Sequence, residues 1–520
     1  MSLDSGLRVR KDVPAQHPEE ESAYLLSPAA EHDGRSFKNK MSRRRTCASA
    51  CDFRVVLIMF FLSCFALISA SFIQPSRSVQ PPRCVDTPER GYQCQPRLSH
   101  SWGQYSPFFS VPSELPTSIP PRCNVTFAQI LSRHGARDPT ASKTRWYYST
   151  VQKLQINVGQ FRGKYAFLNT FNYTLGADQL TGFGEQQMIN SGVAFYHRYK
   201  GLAKQGNPFI RASGEDRVIE SARNFSQGFN EAKTADGASD ASYPYPILVI
   251  PEGEGFNNTL NHGLCTEFEE GTPYSSIGSK AQQTFLATFL PTVMKRLNRD
   301  IPDVNLTAVD TVNLFDLCPF TTVASPLGVV SPFCYLFSLD EWEHYNYYQS
   351  LGKYYGFGPG NPLGSTQGVG YVNELIARLS GKAVNDHTTI NRTLDGSPVT
   401  FPLGEALYVD VSHDNDMTSI FSALGLYNST RPLSNTSIES TEAAAGYSAA
   451  WTVPFAGRAY FEKMECAGEK EELVRIIVNN RVMPMQMCGA DRLGRCTLTR
   501  FIQSLSFAAE GGRWDLCFAV

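Results

Sequence analysis

A run of 19 residues without a charged side chain, Val55–Ile73, divides this chain into two unequal parts. As a helix it would extend about 28 Å, close to the ~30 Å hydrocarbon thickness of a bilayer. The 20 residues before it carry seven Lys or Arg, and the 20 after it carry three. The positive-inside rule therefore predicts a membrane anchor, with residues 1–54 in the cytosol and everything after Ile73 in the lumen or outside the cell.

A cleaved signal peptide is the alternative interpretation of this run. If translation starts at Met41, Arg43–Arg45 would form a basic n-region and Val55–Ile68 the apolar h-region, with cleavage near Ala70. The protein would then be secreted rather than anchored. In both cases the polar residues 1–54 predict a disordered tail, and the Pro- and Ser-rich residues 74–122 predict an extended arm.

Ten of the 13 cysteines follow the apolar run, and this even number predicts five disulfides in the exported part. Short loops favour three of the pairs: Cys84–Cys94, Cys318–Cys334 and Cys488–Cys496. Spacing alone leaves open how the other four are paired: Cys123, Cys265, Cys466 and Cys517. Eight N-x-S/T sequons also follow the run and predict glycosylation sites at Asn124, Asn172, Asn224, Asn257, Asn305, Asn391, Asn428 and Asn435.

The charge balance limits the classes of partner. With 47 basic and 49 acidic residues the net charge is −2, which argues against a general nucleic-acid-binding protein. Any site for a polyanion must therefore be local. No CxxC motif or His-rich cluster indicates zinc.

The segment Val125–Ser132 is an apolar run of strand length that ends abruptly in Arg133-His134-Gly-Ala-Arg137-Asp-Pro139. Loops at the carboxyl ends of strands in α/β sheets are where ligands usually bind. Arginine offers planar, permanently charged donors that suit phosphate oxygens, and a histidine between two arginines can attack phosphorus. This loop therefore predicts a phosphate site.

Two later segments repeat the pattern of a strand followed by a polar loop. Arg211 lies at the end of a short strand, before a segment with helical period. The strand Leu407–Val411 is followed by Ser412-His413-Asp414-Asn-Asp. Because strand ends in such sheets meet at one edge, we expect Arg211, His413 and Asp414 to lie near His134.

The motifs RHGARDP, PFIRASG and SHDND, in this order, resemble those of the histidine acid phosphatase family. Longer runs, including LGADQLTGFGEQQ and AAWTVPFAGR, are similar to the fungal phytases within it, and the resemblance covers about Cys84 to Val520. It implies an α/β fold, with helices on both faces of a sheet, in residues 123–520. It further implies a smaller α-helical domain inserted at about 151–333. The resemblance also implies the remaining bridges, Cys123–Cys466 and Cys265–Cys517.

The chemistry of the residues and the resemblance agree on the roles. His134 would be the nucleophile that forms a phosphohistidine, and Asp414 the acid that protonates the leaving oxygen. Four residues would hold the phosphate: Arg133, Arg137, Arg211 and His413. With guanidinium groups neutralising the phosphate, no metal or cofactor is expected. A neutral His134 and a protonated Asp414, which ordinarily titrates near ~3.9, coexist best in mild acid, so an acidic optimum is expected.

The resemblance implies phytate, a small polyanion with six phosphates, as the substrate. Lys143, Lys164 and Lys353 match substrate-contacting lysines, whereas Gly352 and Asp138 depart from the family pattern and would weaken attraction for a polyanion. The first alternative is a broad acid phosphatase acting on small phosphate esters. The second is a catalytically silent, glycosylated surface protein, which the presence of His134 and Asp414 disfavours. We expect a monomer.

Overall fold

The computed structural model describes residues 24–25, 84–238 and 241–518 of the chain. The predicted anchor Val55–Ile73, the alternative signal peptide and all of the predicted tail except Tyr24 and Leu25 lie outside these described residues. Within the described part of the chain, no helix is both long enough and apolar enough to cross a membrane.

In the part of the chain that the structure describes, nine strands form one mixed sheet. They are β1 (Tyr24–Leu25), β2 (Cys123–Arg133), β3 (Phe209–Ser213), β4 (Ile247–Ile250), β5 (Leu407–Ser412), β6 (Arg458–Cys466), β7 (Leu473–Val478), β8 (Arg481–Val482) and β9 (Cys496–Thr497). Their order is β1-β4-β3-β5-β2-β6-β7-β8, and β9 also pairs with β7. The central strands β4, β3, β5 and β2 run parallel, whereas β1 at one side and β6 to β9 at the other pair antiparallel.

Fifteen α-helices are described along the chain. They are α1 (Pro96–Ser99), α2 (Ala141–Asn157), α3 (Gly182–Arg198), α4 (Lys200–Ala203), α5 (Asp216–Ala235), α6 (Thr266–Glu269), α7 (Ile277–Asp300), α8 (Ala308–Val323), α9 (Leu339–Gly356), α10 (Val369–Ser380), α11 (Arg392–Asp395), α12 (Asp414–Ala423), α13 (Ala449–Thr452), α14 (Leu498–Ser504) and α15 (Ser506–Ala509).

The alternation of side chains along β2 explains how the sheet is covered on both faces. Ile130 lies in an apolar cluster with Phe195 of α3 and Phe225 of α5. The next residue, Leu131, points to the other face and lies in a cluster with Leu375 of α10 and Met417 of α12. Helices on both faces of a sheet confirm the predicted α/β fold.

A third apolar cluster joins α2, α7, α8 and α9 and is the helical part of the fold. This part does not coincide with the predicted insertion at about 151–333. That range also contains β3 and β4, whose apolar runs pair as parallel strands of the main sheet, while α9 lies beyond it. The predicted arm contributes Tyr92 and Trp102 to the third cluster.

The disulfides agree with the predicted pairs. Four bridges are formed by Cys123–Cys466, Cys265–Cys517, Cys318–Cys334 and Cys488–Cys496. Cys84 and Cys94 are also disulfide-bonded. The two bridges that spacing could not assign close separations of 343 and 252 residues, so they connect segments that only the fold brings together.

The predicted glycosylation sites divide into two groups. Five asparagines are exposed: Asn124, Asn172, Asn305, Asn428 and Asn435. Asn224 and Asn391 are buried, and Asn257 is half-buried. The Asn224 amide donates to the Glu220 carbonyl at 3.0 Å, and the Asn391 side chain caps α11. Burial and these hydrogen bonds count against Asn224 and Asn391, and glycosylation at the eight positions stays a prediction.

Candidate active site

The parallel pairing of β2 with β5 brings the two histidine motifs together. Arg133 at the end of β2 is aligned with Ser412 at the end of β5, so the next residues, His134 and His413, lie side by side. Their ring centroids are 5.6 Å apart and the rings meet edge to face. Both strands end at the same edge of the sheet, as the sequence predicted from two separate strand-and-loop segments.

The His134 ring is buried, and its two nitrogens differ in their surroundings. Nδ1 lies 2.8 Å from the carbonyl oxygen of Gly135. Because a carbonyl only accepts, this contact places the proton on Nδ1 and leaves a lone pair on Nε2. Burial, and then the positive charges of Arg133, Arg217 and Arg137, hold the pKa of His134 well below its ordinary value. The ring is therefore neutral and able to act as a nucleophile through Nε2.

The loop that carries His134 is fixed by a very close backbone approach to α3. A Cβ added to Gly135 would lie 2.3 Å from the carbonyl oxygen of Gly184, and one added to Gly184 would lie 1.9 Å from that of Ala136. The amide of Gly135 also donates to the Ser221 hydroxyl at 3.1 Å. Two glycines are needed here because any side chain would separate the loop from the helix.

Arg133 is fully buried beside this loop. Its Nη1 donates to the carbonyl oxygens of Gln104 and Val453, at 2.5 and 2.8 Å, and its guanidinium carbon lies 4.6 Å from the centre of the Phe455 ring. Nη2 lies 3.4 Å from the Asp414 carboxylate. The carbonyl contacts hold one edge of the guanidinium and leave the other facing Asp414.

The prediction that Arg211 binds the phosphate is wrong, because two carboxylates hold its guanidinium. It is buried, with Nε 2.8 Å from Asp410 and Nη2 2.6 Å from Glu374. Arg378 contacts the other oxygen of Asp410 at 2.8 Å, which makes a buried ion-pair cluster. The register of β3 against β5 places Arg211 opposite Asp410, so two carboxylates already hold its guanidinium.

The sequence analysis missed Arg217, in the first turn of α5. Its charge lowers the pKa of His134, and its own pKa is lowered first by burial and then by Arg137. Among the described residues, the cations of this loop region are therefore Arg133, Arg137 and Arg217. The signal that could have identified Arg217 is its position just after the loop that follows β3, where a helix begins at the same edge of the sheet.

Asp414 is the first residue of α12, directly after His413. Its carboxylate lies 2.6 Å from the Lys353 ammonium as well as 3.4 Å from Arg133. Burial alone would raise the pKa of Asp414, but the charges of Arg133 and Lys353 hold it well below its ordinary value. The expectation that Asp414 is protonated in mild acid is therefore wrong for the free protein, which keeps this carboxyl ionised.

Two of the three predicted lysines line one cavity of about 560 Å³. Lys353 is buried, and the ammonium of Lys143 lies 2.8 Å from the carboxylate of Asp316. Burial alone would lower the pKa of Lys143, but Asp316 and Tyr105 raise it above its ordinary value. Lys164 does not line this cavity and donates to the Leu336 carbonyl at 3.0 Å, so the structure does not bring it to the other two.

The structure also describes Gly352 and Asp138, the two residues that depart from the family pattern. Gly352 lines the cavity beside Lys353, so its place in the wall carries no charge. Asp138 is half-buried against Gly176, and burial raises its pKa above the ordinary value, against the opposing effects of the Gly176 amide and Arg137.

Carboxylates surround the second histidine. His413 Nε2 lies 3.0 Å from Glu252, and Nδ1 lies 3.8 Å from Glu215. Glu215 also forms an ion pair with Arg217. Within the part of the chain that the structure describes, Glu215, Glu252 and His413 are the group close enough to hold a metal ion, although these same side chains contact one another and Arg217.

Comparisons with known proteins agree with this geometry. Residues 124–479 match the histidine phosphatase superfamily (branch 2). The chain is 53% identical over 470 residues to Phytase A of Aspergillus fumigatus, which covers 89% of this chain and all of that protein. It is 50% identical over 441 residues to Phytase A of Penicillium oxalicum, covering 84% of this chain and 95% of that one.

Solved structures share the fold. The phytase from D. castellii superposes with a TM-score of 0.62 at 21% identity, over 80% of this chain and 85% of that chain. A phosphate complex of the Bifidobacterium longum multiple inositol polyphosphate phosphatase gives a TM-score of 0.52 at 16% identity, over 80% of this chain and 99% of that one.

The chain belongs to the histidine phosphatase superfamily (branch 2). It is a phosphomonoester hydrolase, the enzyme class that this family and its curated relatives define.

Proposed function

We propose that this enzyme removes phosphate from phytate, myo-inositol hexakisphosphate, through a phosphohistidine on His134. The observation that carries the proposal is the state of the His134 ring. Its Nδ1 is held by the Gly135 carbonyl, and its pKa is lowered by burial and by three guanidinium groups near the ring. A neutral nitrogen among positive charges is suited to attack on an anionic phosphate ester.

In the first step Nε2 attacks phosphorus and the bond from phosphorus to the leaving oxygen breaks. In this scheme the charge on the phosphoryl oxygens is stabilised by Arg133, Arg137, Arg217 and His413. Asp414 supplies the proton that the leaving oxygen takes. In the second step water attacks phosphorus, Asp414 takes a proton from it, and the bond between phosphorus and nitrogen breaks.

This role requires Asp414 to be protonated in the complex, although its pKa is low in the free protein. A bound phosphate ester brings negative charge to Arg133 and Lys353, the two groups that keep the carboxyl ionised. Substrate binding therefore raises the pKa of Asp414 and takes up a proton. In this scheme the acidic optimum belongs to the complex rather than to the free enzyme.

Phytate is supported as the substrate by the curated relatives, which carry the name Phytase A, and by the cavity that holds Lys143 and Lys353. Five phosphates of phytate project beyond the one that reacts. The ammonium groups of Lys143 and Lys353 attract them, and each shares its charge with a carboxylate, Asp316 or Asp414. Arg133, Arg137 and Arg217 supply the charge that a metal would otherwise provide, so we propose turnover without a metal.

The experiment is to trap the phosphoenzyme. With labelled phytate and excess chelator at mildly acidic pH, the wild type should form a base-stable adduct and release phosphate. His134→Ala should form none and lose nearly all turnover. His197→Ala, an exposed histidine on α3, is the matched control and should behave as the wild type. Substantial turnover by His134→Ala, or a dependence on added metal, would contradict the proposal.

We also propose that the catalytic part is exported. Its disulfides and its five exposed sequons are typical of the secretory pathway. Val55–Ile73 would either remain as the anchor or be removed as a signal peptide. Alkaline extraction of membranes, with sequencing of the mature N-terminus, distinguishes the two. Glycan analysis of the five exposed asparagines tests the modification.

A further inference from the structure

We propose that the carboxylate of Glu215 occupies part of the phosphate site of the free enzyme and competes there with the phosphate of substrate and product. This inference rests on the proposed function, since it concerns the same site. It makes Glu215 a residue that sets how tightly phosphate binds, although it takes no part in the chemistry.

The first observation is the position of Glu215 between two of the proposed phosphate ligands. It is the residue before α5, and its Oε2 forms an ion pair with the guanidinium of Arg217. The same oxygen lies 3.8 Å from Nδ1 of His413. One carboxylate oxygen thus faces both a guanidinium and an imidazole that a phosphoryl oxygen would need.

The second observation is that, apart from Glu215, Arg217 has only one weak ion-pair partner among the described residues. Its Nη1 lies 3.9 Å from Asp178, at the limit of an ion pair. Its Nε is buried and has no hydrogen-bond partner among the described residues. A guanidinium with a free buried donor can accept a further anion, and Glu215 covers only one edge of it.

The third observation is that Glu252 contacts both the His413 ring and the backbone of Glu215. Glu252 Oε1 lies 3.0 Å from Nε2 of His413 and accepts from the backbone amide of Glu215 at 3.1 Å. When an anionic phosphate approaches His413, at least one of the two carboxylates must withdraw, because like charges in contact repel strongly. The Glu215 side chain is 40% exposed and that of Glu252 is 15% exposed, so Glu215 is the one that can move into solvent.

The test is Glu215→Gln, which keeps the size of the side chain and removes its charge. Inorganic phosphate is the probe, used as a competitive inhibitor at fixed pH and ionic strength. We expect its inhibition constant to fall roughly tenfold, because removing one like charge in contact with the site favours an anion by about that factor. KM should fall for both phytate and an aryl phosphate. Glu220→Gln, a half-buried residue on α5 paired with Arg223, is the control and should change neither constant.

Two results would overturn the inference. A higher inhibition constant in Glu215→Gln would mean that Glu215 holds Arg217 in position for phosphate, and an unchanged constant would mean that it does not compete. Glu215→Ala checks that the amide of the Gln variant adds no new hydrogen bond, and it too should bind phosphate more tightly. Failure of the proposed function itself would be seen separately, as a wild type without phosphoenzyme.

Discussion

The Asp414 carboxylate and the Lys353 ammonium lie 2.6 Å apart, although 60 residues separate them along the chain. Lys353 also contacts Asn415 at 2.5 Å and lines the cavity beside the site. Lys353 lowers the pKa of Asp414, and we propose that it also attracts the anionic substrate. The two effects can be separated by measurement.

Lys353→Met removes the charge and keeps most of the length of the side chain. The pKa of Asp414 should rise, because Lys353 is one of the two charges that lower it. A carboxyl with a higher pKa stays protonated to a higher pH. The alkaline limb of kcat should thus move upward, by about one pH unit, while KM for phytate increases. Lys164→Met, which lies away from the cavity, is the control, and an unmoved limb would show that Lys353 does not act on Asp414.

Asp414→Asn keeps the shape of the side chain but cannot deliver a proton. An inositol alkoxide is a poor leaving group and a nitrophenolate is a good one. Turnover of phytate should therefore fall by ~10²–10⁴-fold, and turnover of an activated aryl phosphate far less. The phosphoenzyme should accumulate from the aryl ester, because the water is no longer activated. If both substrates lost turnover equally and no intermediate accumulated, Asp414 would shape the site without transferring a proton.

Arg217→Met and Arg211→Met should have opposite signatures. The first removes a cation beside His134 and should lower kcat/KM strongly with little change in melting temperature. The second leaves Asp410 and Glu374 buried with fewer partners, which typically costs about 3–5 kcal/mol of folding free energy. Denaturant unfolding and kinetics of both variants provide the check. If Arg211→Met were stable but inactive, Arg211 would be a phosphate-binding residue after all.

Gly352→Lys adds a cation to the wall of the cavity that holds Lys143 and Lys353. A Cβ at this position would lie 2.5 Å from the amide nitrogen of Gln282, so that side chain must shift to make room. KM for phytate should fall several-fold, whereas KM for a small aryl phosphate should change little, because only phytate has phosphates beyond the reacting one. Gly201→Lys, at an exposed position with open space around it, is the control for added charge. Equal effects on both substrates would place the added charge outside the phytate-binding wall.

His262 should make a pH-dependent contribution to stability. Burial alone would lower its pKa, but Asp416 and Glu269 raise it to about 9, and Nδ1 lies 2.7 Å from Glu269. A raised folded-state pKa stabilises the protein fully below the unfolded value of ~6.5, and this stabilisation is lost as pH rises towards 9. His262→Gln should therefore be less stable than the wild type by up to about 3 kcal/mol at pH 5.5, with a much smaller difference at pH 9.5. A constant difference in unfolding free energy across this range would exclude the linkage.

The local sequence determined which segments carry the chemistry. An apolar run that stops at a Gly- and Pro-containing loop defines a strand end by itself, so both Arg133-His134 and His413-Asp414 were correctly placed at strand ends. The resemblance supplied the long-range disulfides, because two cysteines separated by 343 residues leave no local signal of their pairing.

Only the tertiary structure decided between Arg211 and Arg217. Both lie near the end of β3, and nothing in the local pattern tells which guanidinium is already neutralised. The pairing of β3 with β5 places Asp410 against Arg211, while the start of α5 leaves Arg217 near His134. The sequence also carried no sign that Asn224 and Asn391 are buried. A side chain's partners and exposure depend on segments far away in sequence, which the chain brings together only when it folds.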